Sequence, residues 1–167
     1  MFLVGFMGAG KTSVGQALSR ILGLPFEDLD DRIQKREGKT IERIFRESGE
    51  AAFRKAETAA LKELLGELAS STRVVALGGG AFAQPGNAAL IEKADVHSIF
   101  LDAPVEELLR RCETETKERP LRHDPRQFRE LYEKRRTAYM RAAIRIETNG
   151  KDIEAVATEV ACSLGLG

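Results

Sequence analysis

The sequence predicts an α/β domain whose mostly parallel sheet is covered by helices on both faces. Two observations lead to it. Short apolar runs alternate with amphipathic stretches of helical period along the chain. A glycine-rich segment near the start, Gly5–Thr12, has an apolar strand leading in and a helix-forming stretch leading out.

Taken in order, Met1–Phe6 reads as the first strand, and a helix opening near Lys11 runs on through Val14–Leu22. Phe26–Asp30 is a weaker second strand, and helices open near Asp31, Thr40 and Glu50. Val74–Leu77 and Val96–Leu101 read as strands, with helices opening near Asn87 and Val105. Glu113–Pro125 breaks the rhythm: it has no hydrophobic period, contains two prolines and is crowded with charge. A segment of this kind inside a compact domain is usually a functional loop, so a lid is expected over about residues 112–125. A helix near Arg126, a strand at Ile144–Ile146 and a helix near Asp152 complete a five-stranded domain spanning residues 1–167.

Composition excludes several classes. A hydrophobic share of 43% leaves room for one core and excludes a disordered chain. Lys plus Arg number 26 and Asp plus Glu 26, so no net field draws the molecule to nucleic acid or to an anionic membrane. Charge-based recognition must be local, as in Lys117–Arg141, where nine Lys/Arg face four Asp/Glu. Cys112 and Cys162 lie far apart without metal-ligand spacing and are expected as reduced thiols. No apolar run approaches the roughly 20 residues that span a bilayer, and Met1–Val4 is too short for a signal peptide's apolar region. A cytoplasmic protein is expected.

Gly5-Phe6-Met7-Gly8-Ala9-Gly10-Lys11-Thr12 matches the P-loop pattern at every defined position. Glycines let the backbone curl until its N–H groups converge on an anion, and the helix N-terminus adds partial positive charge. Lys11 then reaches the β- and γ-phosphates, and the Thr12 hydroxyl ligates Mg²⁺. Asp28-Leu29-Asp30 closes the second strand, where a period of two puts both carboxylates on one face beside the P-loop. Phosphoryl transfer needs one group on the metal and another to orient the attacking oxygen, and this pair can divide those tasks. The simpler alternative is that Asp30 caps the following helix.

Gly78-Gly79-Gly80 after the third strand suggests backbone meeting a ligand. It is not a dinucleotide fingerprint, because Pro85 and Gly86 interrupt the helix that should follow. Arg54 and Glu57 are three apart on a helix with Phe53 and Ala56 on its apolar face. Spacing alone favours a surface ion pair; the alternative is an Arg fork, oriented by Glu57, that grips a carboxylate. Asp102, ahead of Ala103-Pro104, reads as a helix cap.

The P-loop with Val14-Gly15, then Phe26–Asp30, Phe53-Arg54-x-x-Glu57, Leu77–Ala81 and Arg119-Pro120-Leu121 together resemble the shikimate kinases, in order and spacing, across nearly the whole chain. The resemblance implies transfer of phosphate from MgATP to the 3-hydroxyl of shikimate, on the path to aromatic amino acids, by a monomer with strand order 2-3-1-4-5. It implies that Gly8, Ala9, Gly10, Lys11, Thr12 and Ser13 hold the nucleotide, with Arg111 at the adenine and Arg119 closing over the phosphoryl group. It places Asp28 with Thr12 at Mg²⁺, and Asp28 together with Lys11 and Arg119 at the reaction. Helices over about residues 31–62 bind the acceptor: Asp30 meets the ring hydroxyls, Arg54 and Arg135 grip the carboxylate, and Gly78, Gly79 and Gly80 form a wall. Lys134–Tyr139 stands where the family has K-R-x-P-L-Y, which leaves Arg136 as a rival to Arg135. A gluconate-type or nucleoside monophosphate kinase, and a nucleotide-binding module without an acceptor, are the competing readings.

Arg122 falls where the family usually has an apolar residue, and this separates two lid arginines. Arg119→Ala is expected to lower kcat and kcat/KM by similar factors while shikimate KM moves little, and Arg122→Ala to do much less. Steady-state kinetics of the two variants check this, and a dominant Arg122 would overturn the alignment of the loop.

Overall fold

Phe2, Leu3 and Val4 are at most 1% exposed, as expected of a run placed in the middle of a parallel sheet with both faces covered. The computed structural model describes residues 1–114 and 124–166. Along the chain it contains β1 (Phe2–Val4), α1 (Lys11–Leu22), β2 (Phe26–Asp28), α2 (Leu29–Glu37), α3 (Ile41–Leu68) and β3 (Val74–Ala76). It continues with α4 (Pro85–Lys93), β4 (Ser98–Asp102), α5 (Val105–Thr114), α6 (Pro125–Tyr139), β5 (Ile144–Glu147) and α7 (Ile153–Ser163). The strands lie in the order β2-β3-β1-β4-β5, all parallel. Phe2 stands opposite Val75 on one side and Ser98 on the other, so β1 and β3 end level with each other. The loops leaving these two strands are therefore neighbours.

Polar side chains set where the helices start. Asp28 caps α2 by accepting from the Asp30 amide at 3.0 Å, and Thr40 caps α3 through the Arg43 amide at 3.2 Å. Asp124 and Asp152 cap α6 and α7 in the same way. In α3, Gly49 has φ 79 and ψ 176, a break that separates the two helices expected from Thr40 and Glu50. Cys112 is buried, Cys162 is exposed, and they form no disulfide.

Three boundaries differ from expectation. The second strand ends at Asp28, because its carboxylate starts a helix there, so Asp30 lies in the first turn of α2 and not on a strand. Helix α4 opens at Pro85, two residues ahead of the start expected near Asn87; a residue without an N–H fits the first helical position, whose N–H would have no helical partner. Helix α5 continues to Thr114 and α6 begins at Pro125, so both ends of the expected 112–125 lid are helical.

Helix α1 packs tightly on the sheet at Gly15, where a Cβ would stand 2.4 Å from Phe26 Cε2 and 3.2 Å from Leu3 Cδ1. Alanine improves helix propensity by about 1 kcal/mol, but overpacking a core typically costs about 1–3 kcal/mol. Gly15→Ala is therefore expected to destabilise the fold despite its better propensity. A urea unfolding midpoint that rises in this variant would contradict the close α1–sheet contact.

Candidate active site

The P-loop leaves β1 and curls back on itself, with φ 77 at Gly8 and 83 at Gly10, values that favour glycine. A Cβ at Gly8 would also stand 2.7 Å from the Leu108 carbonyl oxygen. Lys11 Nζ lies over the loop and donates to the carbonyls of Gly5 at 2.9 Å and Phe6 at 3.0 Å. Thr12 Oγ1 donates to Asp28 Oδ2 at 3.0 Å, while Asp28 Oδ1 holds the start of α2. A hydroxyl and a carboxylate side by side are hard oxygen donors. Among the described residues no group of three or more His, Cys, Asp or Glu is arranged to hold a metal. This donor set suits a cation that keeps several waters and shares its remaining positions with phosphate, as Mg²⁺ does.

Next to the P-loop, the triplet leaving β3 is surrounded by charge. A Cβ built on Gly78 would stand 2.7 Å from Asp30 Oδ1. One on Gly80 would stand 2.6 Å from Arg54 Nη2 and 3.0 Å from Arg135 Nη2. One on Gly79 would be 3.7 Å from Arg135 Nη1 and 3.8 Å from both the Gly5 carbonyl oxygen and the Met7 amide. One carboxylate and two guanidiniums thus converge on bare backbone that lies beside the P-loop. A side chain at Gly78 or Gly80 would force these groups to move, whereas a Cβ at Gly79 would meet them at ordinary contact distance.

Arg54 and Glu57 are not the surface pair that spacing favoured. Glu57 is 1% exposed and accepts from Arg54 Nη1 at 2.8 Å, while Glu50 lies 3.5 Å from Nη2. Burial pushes the Glu57 carboxyl above its ordinary range; Arg54 and Arg135 pull it down, and the charge of Asp30 adds to the upward push. The guanidinium of Arg54 sits 5.1 Å over the Phe53 ring and that of Arg135 5.9 Å over Phe6. Arg54 Nε is buried without a hydrogen-bond partner among the described residues. The pair is an oriented fork held beside the triplet.

Arg135 and its rival point to different places. Arg135 lies against Gly79 and Gly80, whereas Arg136 donates to Asp102 Oδ2 at 3.0 Å. Arg145 binds the same oxygen at 2.8 Å. Asp102 closes β4 at 4% exposure and spends its carboxylate on two arginines; the expected role of helix cap is replaced by this ion cluster.

At the other end of the P-loop, Arg111 donates to the Thr148 hydroxyl and carbonyl at 3.3 Å each and to the Gly8 carbonyl at 3.5 Å. Glu107 fixes its Nε at 2.8 Å. Ser13 lines an open cavity of about 540 Å³ with Gln16, Arg20 and Asp152, between the starts of α1 and α7. Arg119 and Arg122 lie outside the described residues. Three further contributors were given no role by the sequence, although Tyr139 closes the family pattern over Lys134–Tyr139. Asn87, 1% exposed, joins Thr58 to the Ala81 carbonyl; Thr148 is buried under Arg111; Tyr139 donates to the Gly79 carbonyl.

Comparison with known proteins points in one direction. The family model described as shikimate kinase matches residues 7–164. A shikimate kinase of Persephonella marina is 40% identical over 160 residues, covering 96% of this chain and 95% of its own. That of Geobacter sulfurreducens is 43% identical over 162 residues, 95% of this chain and 87% of its own. Among solved structures, shikimate kinase from Aquifex aeolicus superposes with a TM-score of 0.86 at 39% identity, over 98% of this chain and 95% of that one. The Acinetobacter baumannii enzyme in complex with shikimate gives 0.87 at 37% identity, over 98% and 92%.

Proposed function

The chain belongs to the shikimate kinase family, and we propose that it transfers the γ-phosphoryl group of ATP to the 3-hydroxyl of shikimate. One observation carries this beyond family membership: Asp30, Arg54 and Arg135 converge on Gly78–Gly80, and that triplet leaves the sheet beside the P-loop, where a Cβ on Gly79 would stand 3.8 Å from Gly5 and Met7. Shikimate has one carboxylate and three hydroxyls, so its site needs cationic forks and an acceptor carboxylate. Arg54 and Arg135 supply the forks, Asp30 accepts from ring hydroxyls, and the glycine backbone lets the ring approach closely.

On the donor side, the amides of Gly8, Ala9, Gly10, Lys11, Thr12 and Ser13 surround the phosphates, and Lys11 turns from its loop carbonyls to the β- and γ-oxygens. Arg111, braced by Thr148 and Glu107, flanks the adenine. Thr12 and Asp28 hold the Mg²⁺ that accompanies ATP, whose charge neutralises the phosphate oxygens. Asp28 accepts the Asp30 backbone amide, so the carboxylate proposed for the metal and the one proposed for the acceptor belong to the same strand-to-helix junction. Arg119, as the family pattern implies, meets the developing charge on the transferred group. The enzyme acts as a single domain, as a monomer in the cytoplasm.

A nucleoside monophosphate kinase would need aromatic or amide groups to receive a base after β3, where this chain has a glycine triplet between charges. A non-catalytic nucleotide module leaves Asp30, Arg54 and Arg135 without a task. ADP release measured with shikimate, gluconate and nucleoside monophosphates, each against ATP alone, tests the reading: only shikimate is expected to stimulate turnover, and stimulation by another acceptor instead would refute it.

Kinetics of single variants then test the assignments. Arg135→Ala should raise shikimate KM and lower kcat/KM by roughly tenfold to a hundredfold, the loss of about 1.5–3 kcal/mol typical of a charged hydrogen bond. ATP KM should stay nearly constant. Arg136→Ala should instead lower stability, because it leaves Asp102 with one partner fewer. If Arg136→Ala gave the KM effect and Arg135→Ala did not, the assignment of the carboxylate grip would be wrong.

A further inference from the structure

Tyr139 is the last residue of α6 and is fully buried. Its hydroxyl donates to the Gly79 carbonyl, joining α6 to the glycine triplet across 60 residues of chain. The ring lies 5.3 Å from that of Phe100 on β4, so the phenol is held from the side. Arg135 is four residues earlier, one helical turn above it on the same face. Burial pushes the Tyr139 phenol well above its usual range, against the charges of Arg135 and Arg54, so it remains a donor through neutral pH.

What this hydrogen bond controls follows from the glycines. The Ala81 amide fixes the Gly78 carbonyl at 3.0 Å, but Gly79 and Gly80 have no side chains whose packing could fix the peptide between them, and glycine loses more freedom on ordering than any other residue. The Gly79–Gly80 peptide is planar and trans, so its carbonyl and its N–H point in opposite directions. Binding the Gly79 carbonyl sets the direction of the Gly80 N–H, on the residue that faces Arg54 and Arg135.

We propose that Tyr139 is a positioning residue for the acceptor, holding the Gly79–Gly80 peptide and Arg135 in the arrangement that receives the shikimate carboxylate. This rests on the shikimate kinase reading and adds a residue that does not touch the substrate. The competing possibility is an ordinary core tyrosine, and the same helix supplies a comparison. Tyr132 is 5% exposed and donates to the Ala103 carbonyl at 3.1 Å, just past the end of β4 and outside the glycine triplet. Its replacement by Phe removes the same kind of bond from the same helix.

The test compares wild type, Tyr139→Phe and Tyr132→Phe, varying shikimate and ATP separately and measuring urea unfolding for each. In Tyr139→Phe, kcat/KM for shikimate is expected to fall about tenfold, chiefly through KM, equivalent to about 1.4 kcal/mol. ATP KM should move by less than about twofold, and in Tyr132→Phe shikimate KM should too, whatever its stability. Combined with Arg135→Ala, the Tyr139→Phe penalty should shrink, because both act on one carboxylate. An unchanged shikimate KM in Tyr139→Phe, or an equal rise in Tyr132→Phe, overturns the proposal. The chain has two tyrosines, so 3-fluorotyrosine in Tyr132→Phe protein reports Tyr139 alone. Its ¹⁹F resonance should shift as shikimate saturates the enzyme, and a resonance blind to shikimate overturns the proposal even if Tyr139→Phe fails to fold. Wild type without shikimate turnover would sink the kinase reading itself; active wild type with an indistinguishable Tyr139→Phe sinks only this inference.

Discussion

The parallel pairing of β1 with β3 is the constraint on which the site depends. Leu3 stands opposite Ala76, so the P-loop and the glycine triplet leave the sheet side by side at its carboxyl edge. Every later contact uses this proximity. β2 pairs with β3 on the outer side, with Asp28 opposite Ala76, and so delivers Asp28 and Asp30 to the same edge. A shift of one residue in this register would exchange the side chains packed on the two covered faces, and a close-packed interior does not absorb such an exchange without strain or voids. The hydrophobic core therefore fixes the separation of donor and acceptor sites.

Charge is concentrated where that geometry allows it to be compensated. Glu57 is buried beside Arg54, and desolvation pushes its carboxyl up while its partner pulls it down. Such a pair adds little to stability. Its effect is directional: Arg54 cannot rotate towards solvent without leaving a buried carboxylate behind. The guanidinium is thereby presented to the triplet before any ligand arrives, which reduces the ordering cost of binding an anion.

Much of this was legible in the sequence, for reasons that differ by residue. The P-loop could be read because its glycines, Lys11 and Thr12 are consecutive and each answers a local requirement of phosphate binding. The strand-helix alternation could be read because buried parallel strands are continuous apolar runs. Asp30 was placed on the wrong element because Asp28 both ends a strand and caps a helix, and one-dimensional patterning cannot rank those two roles. The burial of Glu57 was invisible, since an i, i+3 pair looks the same on a surface as under a loop. Arg135 and Arg136 are adjacent, and only the position of Asp102 on β4 separates them. Tyr139 was legible only as the closing position of the family pattern over Lys134–Tyr139, with no role attached, because an aromatic residue at helical spacing reads as core.

Helix α6 shows how such silent residues act. Among its polar contacts, three fall on successive turns of the face towards the sheet: Tyr132 to the Ala103 carbonyl, Arg136 to Asp102, and Tyr139 to the Gly79 carbonyl. The first two fasten it to the end of β4, and the third to the loop leaving β3. The backbone of Asp102 also accepts the Thr148 amide at 2.8 Å, and Thr148 braces Arg111 on the nucleotide side. The end of β4 is thus a common footing for Arg111 and for the helix that carries Arg135. A helix anchored at the ends of β3 and β4, the two strands that flank β1, cannot rotate about its axis without breaking a hydrogen bond at one of them. Arg135 inherits its orientation from that restriction, which is why a long, flexible side chain can serve as a fixed element of the acceptor site.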